Sequence, residues 1–254
     1  MQDSTTSQSL LSWEERGFNA WPARQAVLVG GWLCRLNGGF TKRANSVNAL
    51  FPDARIDDVR AAAEALYRRH GLPCVFRISP LAPPDADAAL ERAGYRFFDP
   101  SRVMHRALHS LHTLEMPPSV TVDSQPGQAW LDGHARANGV PPSDRPLHDT
   151  MVRSIAWPCG FATLRHEGEA IGFALAVLER GAVGIHDVVV APAARGRGHG
   201  RALMQGLAAW GAAQGASLAY LQVREANEGA VRLYRRLGFE DGYGYHYRMP
   251  PVAP

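Results

Sequence analysis

The chain has 254 residues, of which 46% are hydrophobic and 20% charged, and its formal net charge is +3. This is enough material for one large or two modest domains. The charge is too small to indicate a nucleic-acid-binding surface, which needs clustered Lys and Arg on one face. The apolar runs are too short to span a bilayer, and residues 1–6 lack the features of a signal peptide, so we expect a cytoplasmic protein without membrane contact.

Cysteine and histidine spacing gives no metal pattern. The cysteines are Cys34, Cys74 and Cys159. An odd number without a Cys-x-x-Cys pair predicts buried thiols, not disulfides or a zinc site. His109 and His112, near His105, lack cysteine or carboxylate partners at ligand spacing, so we expect no metal.

Residues 1–108 contain the first series of predicted elements. These are strands over residues 25–29, 32–36 and 74–78 and an alanine-rich helix over residues 57–70. Between them, the glycine-rich and polar run at residues 38–48 has two interpretations. It is either a polar strand with a hairpin glycine pair or a substrate-facing wall that includes Arg43 and Asn45.

Residues 109–118 are predicted to form a linker, because the proline pair at residues 117–118 disfavours regular structure. A second series of elements follows over residues 119–254. It comprises strands over residues 161–165, 170–178, 185–190 and 217–223 and a helix over residues 199–214.

The two series match each other in order. Ala-Trp-Pro occurs around Trp21 and again around Trp157. Gly71 and Gly94 recur at one common offset as Gly215 and Gly238. A glycine after a helix is common by itself, but matches in constant order predict an internal duplication.

A glycine-rich loop connects the strand at 185–190 to the following helix. Its candidate cofactor-binding residues are Arg195, Gly196, Arg197, Gly198, His199, Gly200 and Arg201. Glycines expose backbone N–H groups, and the helix start adds a positive dipole end, so the loop predicts a pyrophosphate cradle. Its spacing fits neither a Walker loop nor a dinucleotide fingerprint. The first series has Asp53, Asp57 and Asp58 at this place, which would repel a pyrophosphate.

Arg195, Gly198 and Gly200 match the Gln/Arg-x-x-Gly-x-Gly/Ala signature, and residues 221–239 match a second signature further along. Together they resemble the GCN5-related N-acetyltransferase (GNAT) superfamily, of the tandem type with a degenerate N-terminal copy. The resemblance implies an α/β (α+β) fold class. It implies two tandem GNAT folds, each a twisted mixed β-sheet flanked by helices, with the catalytic copy at residues 119–254.

The resemblance also implies acetyl-CoA as acyl donor, held in a V-shaped opening between two central parallel strands. The backbone of Val188 and Val190 would pair with the pantetheine arm, although the same valines suit an ordinary buried strand. Asn227 would contact the cofactor or cap its helix, or both. Tyr234 would protonate the departing thiolate, or would only pack its helix against the sheet.

The resemblance does not identify the general base. Some relatives that acetylate α-amines have a glutamate where this chain has Gln222, and an amide cannot accept a proton. His186 and Asp187 remain as candidates and are predicted to point to opposite faces of their strand. Glu225 is a third, weaker candidate for the general base.

We therefore expect direct acetyl transfer to a primary amine of a small molecule or peptide. The alternative is a non-catalytic acyl-CoA-binding regulatory or interaction module, and a longer acyl chain on the donor is also open. A homodimer is compatible with the sequence, which identifies no interface.

Overall fold

The computed structural model describes residues 2–108 and 115–250, with side chains from residue 10 onward. Most of the predicted linker, including His109 and His112, lies outside the described residues. No helix in the described ranges is long and apolar enough to cross a membrane.

Seven helices and eleven strands occur in these ranges. The helices are α1 (Gln2–Ala20), α2 (Asp57–Arg69), α3 (Ala86–Arg92), α4 (Gln128–Asn138), α5 (Arg145–Arg153), α6 (His199–Ala213) and α7 (Glu228–Arg236). The strands are β1 (Gln25–Val29), β2 (Trp32–Leu36), β3 (Val47–Ala49), β4 (Phe76–Ile78), β5 (Arg96–Ala107), β6 (Val120–Asp123), β7 (Cys159–His166), β8 (Glu169–Glu179), β9 (Ala182–Val190), β10 (Leu218–Arg224) and β11 (Glu240–Met249). The predicted helices and strands all occur, with ends shifted by a few residues.

The described strands are hydrogen-bonded as one mixed sheet in the order β1-β2-β3-β4-β11-β5-β10-β9-β8-β7-β6. The prediction of a separate sheet for each copy was wrong. The reason is that the last strand of the chain, β11, pairs antiparallel with β4, with His246 opposite Ile78. Alternating patterns predict that a strand forms but not which strand it pairs with.

Internal contacts divide the chain into two compact units. The first comprises residues 1–102, 224–226 and 243–254, and the second comprises residues 103–223 and 227–242. Each is described separately below.

In the first unit, β1, β2 and β3 are antiparallel neighbours and β3 pairs parallel with β4. The apolar face of α2 is buried through Val59, Ala63 and Tyr67. Trp32 and Phe76 pack edge to face with ring centroids 5.8 Å apart, which favours a fixed core geometry. The second unit repeats this pattern, because β7, β8 and β9 are antiparallel neighbours and β9 pairs parallel with β10.

The cysteines are free thiols; Cys34 and Cys74 are buried, as predicted, whereas Cys159 is only half-buried. Burial raises the pKa of Cys34 to about 11 and that of Cys74 to about 12. Burial likewise raises the pKa of Cys159 to about 11, so all three remain protonated at neutral pH.

The polar run at residues 38–48 is organised by the buried side chain of Asn45. Its Oδ1 accepts hydrogen bonds from the backbone N–H groups of Asn37 (2.7 Å) and Gly39 (3.0 Å). Its Nδ2 donates to the carbonyls of Phe40 (2.6 Å) and Thr41 (2.9 Å). These four bonds hold the loop, so the buried side chain of Asn45 has a structural role.

Replacing Asn45 by alanine is expected to lower the free energy of unfolding by about 2–4 kcal/mol, because four backbone groups lose their buried partner. The measurement is the urea midpoint, with the exposed Asn138→Ala as the matched control. Equal midpoints for the two variants would contradict this assignment.

Candidate active site

The candidate site includes an opening between β9 and β10, the two parallel strands of the second unit. Pairing of β9 with β10 begins at Ala182 and Leu218 and ends at Ile185 and Leu221. The strand β9 continues to Val190, and the register gives its last residues no partner on β10. Backbone groups of β9 beyond Ile185, including those of Val188 and Val190, therefore have no strand partner on the β10 side.

A β-bulge interrupts β9 in this opening. Phe173 of β8 lies opposite Val189, whereas Leu175 lies opposite His186, so β9 has an extra residue between these pairs. Asp187 has a φ of 50° there, in the left-handed region. Non-glycine residues rarely adopt it, although Asp is among the better tolerated. The regular alternation of side chains between the two faces of β9 is therefore interrupted here. The bulge determines the direction of the Asp187 carboxylate.

The glycine-rich loop follows β9 and a 3-10 turn at Pro192–Ala194. Gly196 and Gly198 have φ values of 78° and 84°, and Gly198 immediately precedes α6. In the described structure, the backbone N–H groups of residues 196–200 donate to no backbone carbonyl. Exposed N–H groups at a helix start form an anion-binding arrangement.

The third glycine has a different role. A Cβ on Gly200 would lie 3.2 Å from Leu233 Cδ2, so this position lets α6 pack closely against α7. Arg195, Arg197 and Arg201 are exposed around the loop, and Arg195 Nε donates to the Val190 carbonyl at 2.9 Å. His199, the first residue of α6, is half-buried, with its ring centroid 5.2 Å from that of His166.

The second signature, residues 221–239, comprises the end of β10, the following turn and α7. Asn227 caps this helix, because its Oδ1 accepts a hydrogen bond from the Ala230 N–H at 3.2 Å. Tyr234 is 8% exposed and its ring centroid lies 6.1 Å from that of Phe239. The structure thus shows Asn227 as a helix cap and Tyr234 packed beside Phe239, and both arrangements are compatible with a contact with the cofactor.

The candidate bases differ in their surroundings. His186 is 3% exposed and packs edge to face with Tyr220 at 5.8 Å. Glu225 forms an ion pair with Arg102 at 3.1 Å. The Asp187 side chain is partly exposed and lies at the bulge.

Asp187 also contacts two histidines that sequence reasoning did not identify. Its Oδ2 lies 3.3 Å from Nε2 of His148 and 3.5 Å from Nε2 of His134. The histidines belong to α5 and α4 and are both buried. No spacing motif connects them, since they reach Asp187 only through the packing of two helices against β9.

Close packing explains how deep His134 lies. A Cβ on the preceding residue, Gly133, would lie 2.1 Å from the Phe173 ring, so only glycine lets α4 approach β8 so closely. The His134 ring stacks on that of Trp130, with centroids 5.1 Å apart. The Trp130 indole donates to the Ala162 carbonyl at 2.9 Å, which ties the stack to the sheet.

Within the described ranges, His134, His148 and Asp187 are the group of three side chains whose spacing could hold a metal ion, with ligand atoms within 4.8 Å of one another. The two imidazole planes are parallel to within 5°, with centroids 4.8 Å apart. A metal ion lies near the plane of each imidazole that binds it, and two stacked planes do not share such a point. The arrangement suits proton sharing with a carboxylate better than metal ligation.

The open parallel strands, the β9 bulge and the anion-binding loop define an N-acetyltransferase of the GNAT class. A family model described as "Probable histone acetyltransferase Rv0428c C-terminal" matches residues 9–248, and the chain belongs to that family.

Relatives agree with this classification. The chain is 31% identical over 238 residues to the uncharacterized N-acetyltransferase YobR of Bacillus subtilis, covering 91% of this chain and 94% of the relative. A GCN5-related N-acetyltransferase from Kribbella flavida has a similar fold, with a TM-score of 0.69, 20% identity and coverage of 96% and 95%. A tandem GNAT protein from the clavulanic acid biosynthesis pathway has a TM-score of 0.63 at 14% identity, covering 95% of this chain and 88% of that one.

Proposed function

We propose that the chain transfers an acetyl group from acetyl-CoA directly to a primary amine of a small molecule or peptide. The observation that carries the proposal is the row of unpaired backbone N–H groups at residues 196–200, placed at the start of α6 beside the open end of β9. In this proposal the loop binds the pyrophosphate, with Arg195, Arg197 and Arg201 adding positive charge.

The other proposed contacts with acetyl-CoA follow from the position of the loop beside the open end of β9. The backbone of Val188 and Val190 pairs with the pantetheine arm in the opening past Ile185. Asn227 and His199 lie at the starts of α7 and α6 and belong to the cofactor-binding set. The chemistry needs a base for the amine and an acid for the thiolate.

Asp187 is the preferred base, because its carboxylate is partly exposed at the bulge whereas His186 is buried against Tyr220. The amine nitrogen attacks the thioester carbonyl, the new C–N bond forms and the C–S bond breaks. The thiolate then takes the phenolic proton of Tyr234, and the phenol is restored from solvent.

Replacing Tyr234 by phenylalanine is expected to lower kcat about 10–100-fold, because the ring still packs against Phe239 but the acid is gone. The Kd for acetyl-CoA should not change. The matched control is Tyr245→Phe, which removes the hydroxyl of another buried tyrosine. Full activity of Tyr234→Phe would assign this residue to packing alone.

We also propose that the chain arose by duplication and that residues 1–108 form a degenerate copy, followed by the linker at 109–118 and the catalytic copy at 119–254. Both copies follow the same sequence of two antiparallel strand pairs and one parallel pair. In the first copy, α2 begins with Asp57 and Asp58, whose charges disfavour an anion at that helix start.

Calorimetric titration with acetyl-CoA, with free CoA and a longer acyl-CoA alongside, tests the cofactor assignment. One site per chain is expected, and two sites would contradict the degenerate first copy.

A turnover assay then uses a panel of amines: a lysine-containing peptide, a peptide α-amine, a polyamine and an amino sugar. The lysine peptide is included because the family description names a probable histone acetyltransferase. Binding without turnover of any amine would favour the acyl-CoA-binding module instead.

A further inference from the structure

A chain of titratable and charged side chains, in which the two histidines are buried and the others partly buried, extends from Asp187 to α4 and α5. We call Asp187, His148, Asp149, Arg145 and His134 the His148 cluster. Nε2 of His148 lies 3.3 Å from Asp187 Oδ2, and its Nδ1 lies 3.1 Å from Asp149 Oδ1. His148 is 1% exposed, so its imidazole bridges two carboxylates out of contact with solvent.

The far end of the cluster is fixed by an arginine. Nε of Arg145 donates to both carboxylate oxygens of Asp149, at 3.2 and 3.0 Å, one turn apart on α5. The same guanidinium also contacts Asp132 of α4. The Asp149 carboxylate is therefore held in place, and it holds the His148 ring in turn.

We propose that His148 and Asp187 act together as the proton acceptor for the substrate amine, with His148 as a positioning residue that acts through Asp187. This rests on the proposed function. The amine proton passes to Asp187, which is partly exposed, and from its carboxyl to Nε2 of His148. In the neutral ring, Asp149 holds the proton on Nδ1, so the lone pair of Nε2 faces Asp187 Oδ2 and can take the proton from its carboxyl. The imidazolium that forms is stabilised by both carboxylates.

The electrostatics suit this role. Burial opposes the charged ring, but the hydrogen bonds and charges of Asp187 and Asp149 outweigh it and raise the pKa of His148 above its usual value near 6.5. An imidazole with a raised pKa is a stronger proton acceptor than an isolated carboxylate.

The other charged or titratable neighbours do not reverse the upward shift in the pKa of His148. Burial lowers the pKa of His134, so this stacked ring stays neutral and adds no like charge beside His148. Arg145 forms ion pairs with both Asp149 and Asp132, so its positive charge is balanced, and Asp132 reaches the cluster through Arg145. The two carboxylates that face the neutral His148 ring favour its protonation, because each would pair with the imidazolium.

The first experiment measures the pH dependence of kcat for the best amine of the panel in the wild type and in His148→Gln. The wild type should lose activity on the acid side with a midpoint above pH 6.5. The glutamine amide can still donate to Asp187 but does not titrate, so this limb should disappear and kcat should fall about 10–100-fold. The substrate amine also titrates, but it does so equally with both proteins, so it does not contribute to the difference between their pH profiles. His70→Gln, at the exposed end of α2, is the control and should behave as the wild type.

Two measurements separate a relay from a purely structural effect. If the residues act as one unit, the double variant Asp187→Asn/His148→Gln should be no slower than Asp187→Asn alone. NMR titration of the His148 ring in the full-length protein needs no amine, so it tests the pair even if the panel gives no turnover. Its midpoint should lie above 6.5 and should fall in both Asp187→Asn and Asp149→Asn. A wild-type pH profile in His148→Gln, or an unchanged His148 midpoint in Asp187→Asn, would overturn the proposal.

Discussion

Replacing Asp187 by asparagine is expected to lower kcat for amine acetylation about 1000-fold, within the range typical of a removed general base. Asparagine is nearly the same size, and it also tolerates the left-handed conformation in which Asp187 has a φ of 50°. The bulge should therefore persist, and the change should remove the carboxylate without altering the backbone.

The Kd for acetyl-CoA, measured by calorimetry, should stay within about threefold of the wild type, because Asp187 is not among the groups proposed to bind the cofactor. Asp123→Asn, an exposed carboxylate at the end of β6, controls for the loss of one negative charge. If Asp187→Asn keeps kcat within about threefold of wild type, the base must be sought elsewhere, and His186 is the next candidate.

Replacing Gly198 by glutamate is expected to weaken acetyl-CoA binding at least about 100-fold. The residue has a φ of 84°, so a side chain is strained there, and it immediately precedes α6 where the N–H groups are unpaired. A carboxylate at this point competes with the pyrophosphate for those N–H groups and repels it.

The matched control is Gly215→Glu. Gly215 follows the other end of α6, has a φ of 86° and, like Gly198, has no heavy atom within 4 Å of a built Cβ. Both variants introduce the same charge at the same backbone conformation, and only one lies at the proposed pyrophosphate site. Equal Kd values for the two variants would show that the loop does not bind the cofactor.

The sequence by itself determined the local structure around the loop. Its turns depend on glycines that adopt positive φ, and most of the residues that follow are good helix formers, with glycines among them at positions of close packing. These are properties of neighbours in the chain, so the strand–loop–helix order, the Asn227 cap and the hairpin at residues 25–36 could be predicted. Two separated signatures in order were enough to indicate the family.

Tertiary structure alone decided which residues share the site. His134 and His148 lie on different helices, and both contact Asp187 of β9; Gly133 lets α4, which carries His134, approach β8 closely. The bulge that turns Asp187 depends on the pairing of β8 with β9, and the single sheet depends on the pairing of β11 with β4. Such contacts join residues far apart in the chain, and their free energy comes from packing and hydrogen bonds that local patterns do not encode.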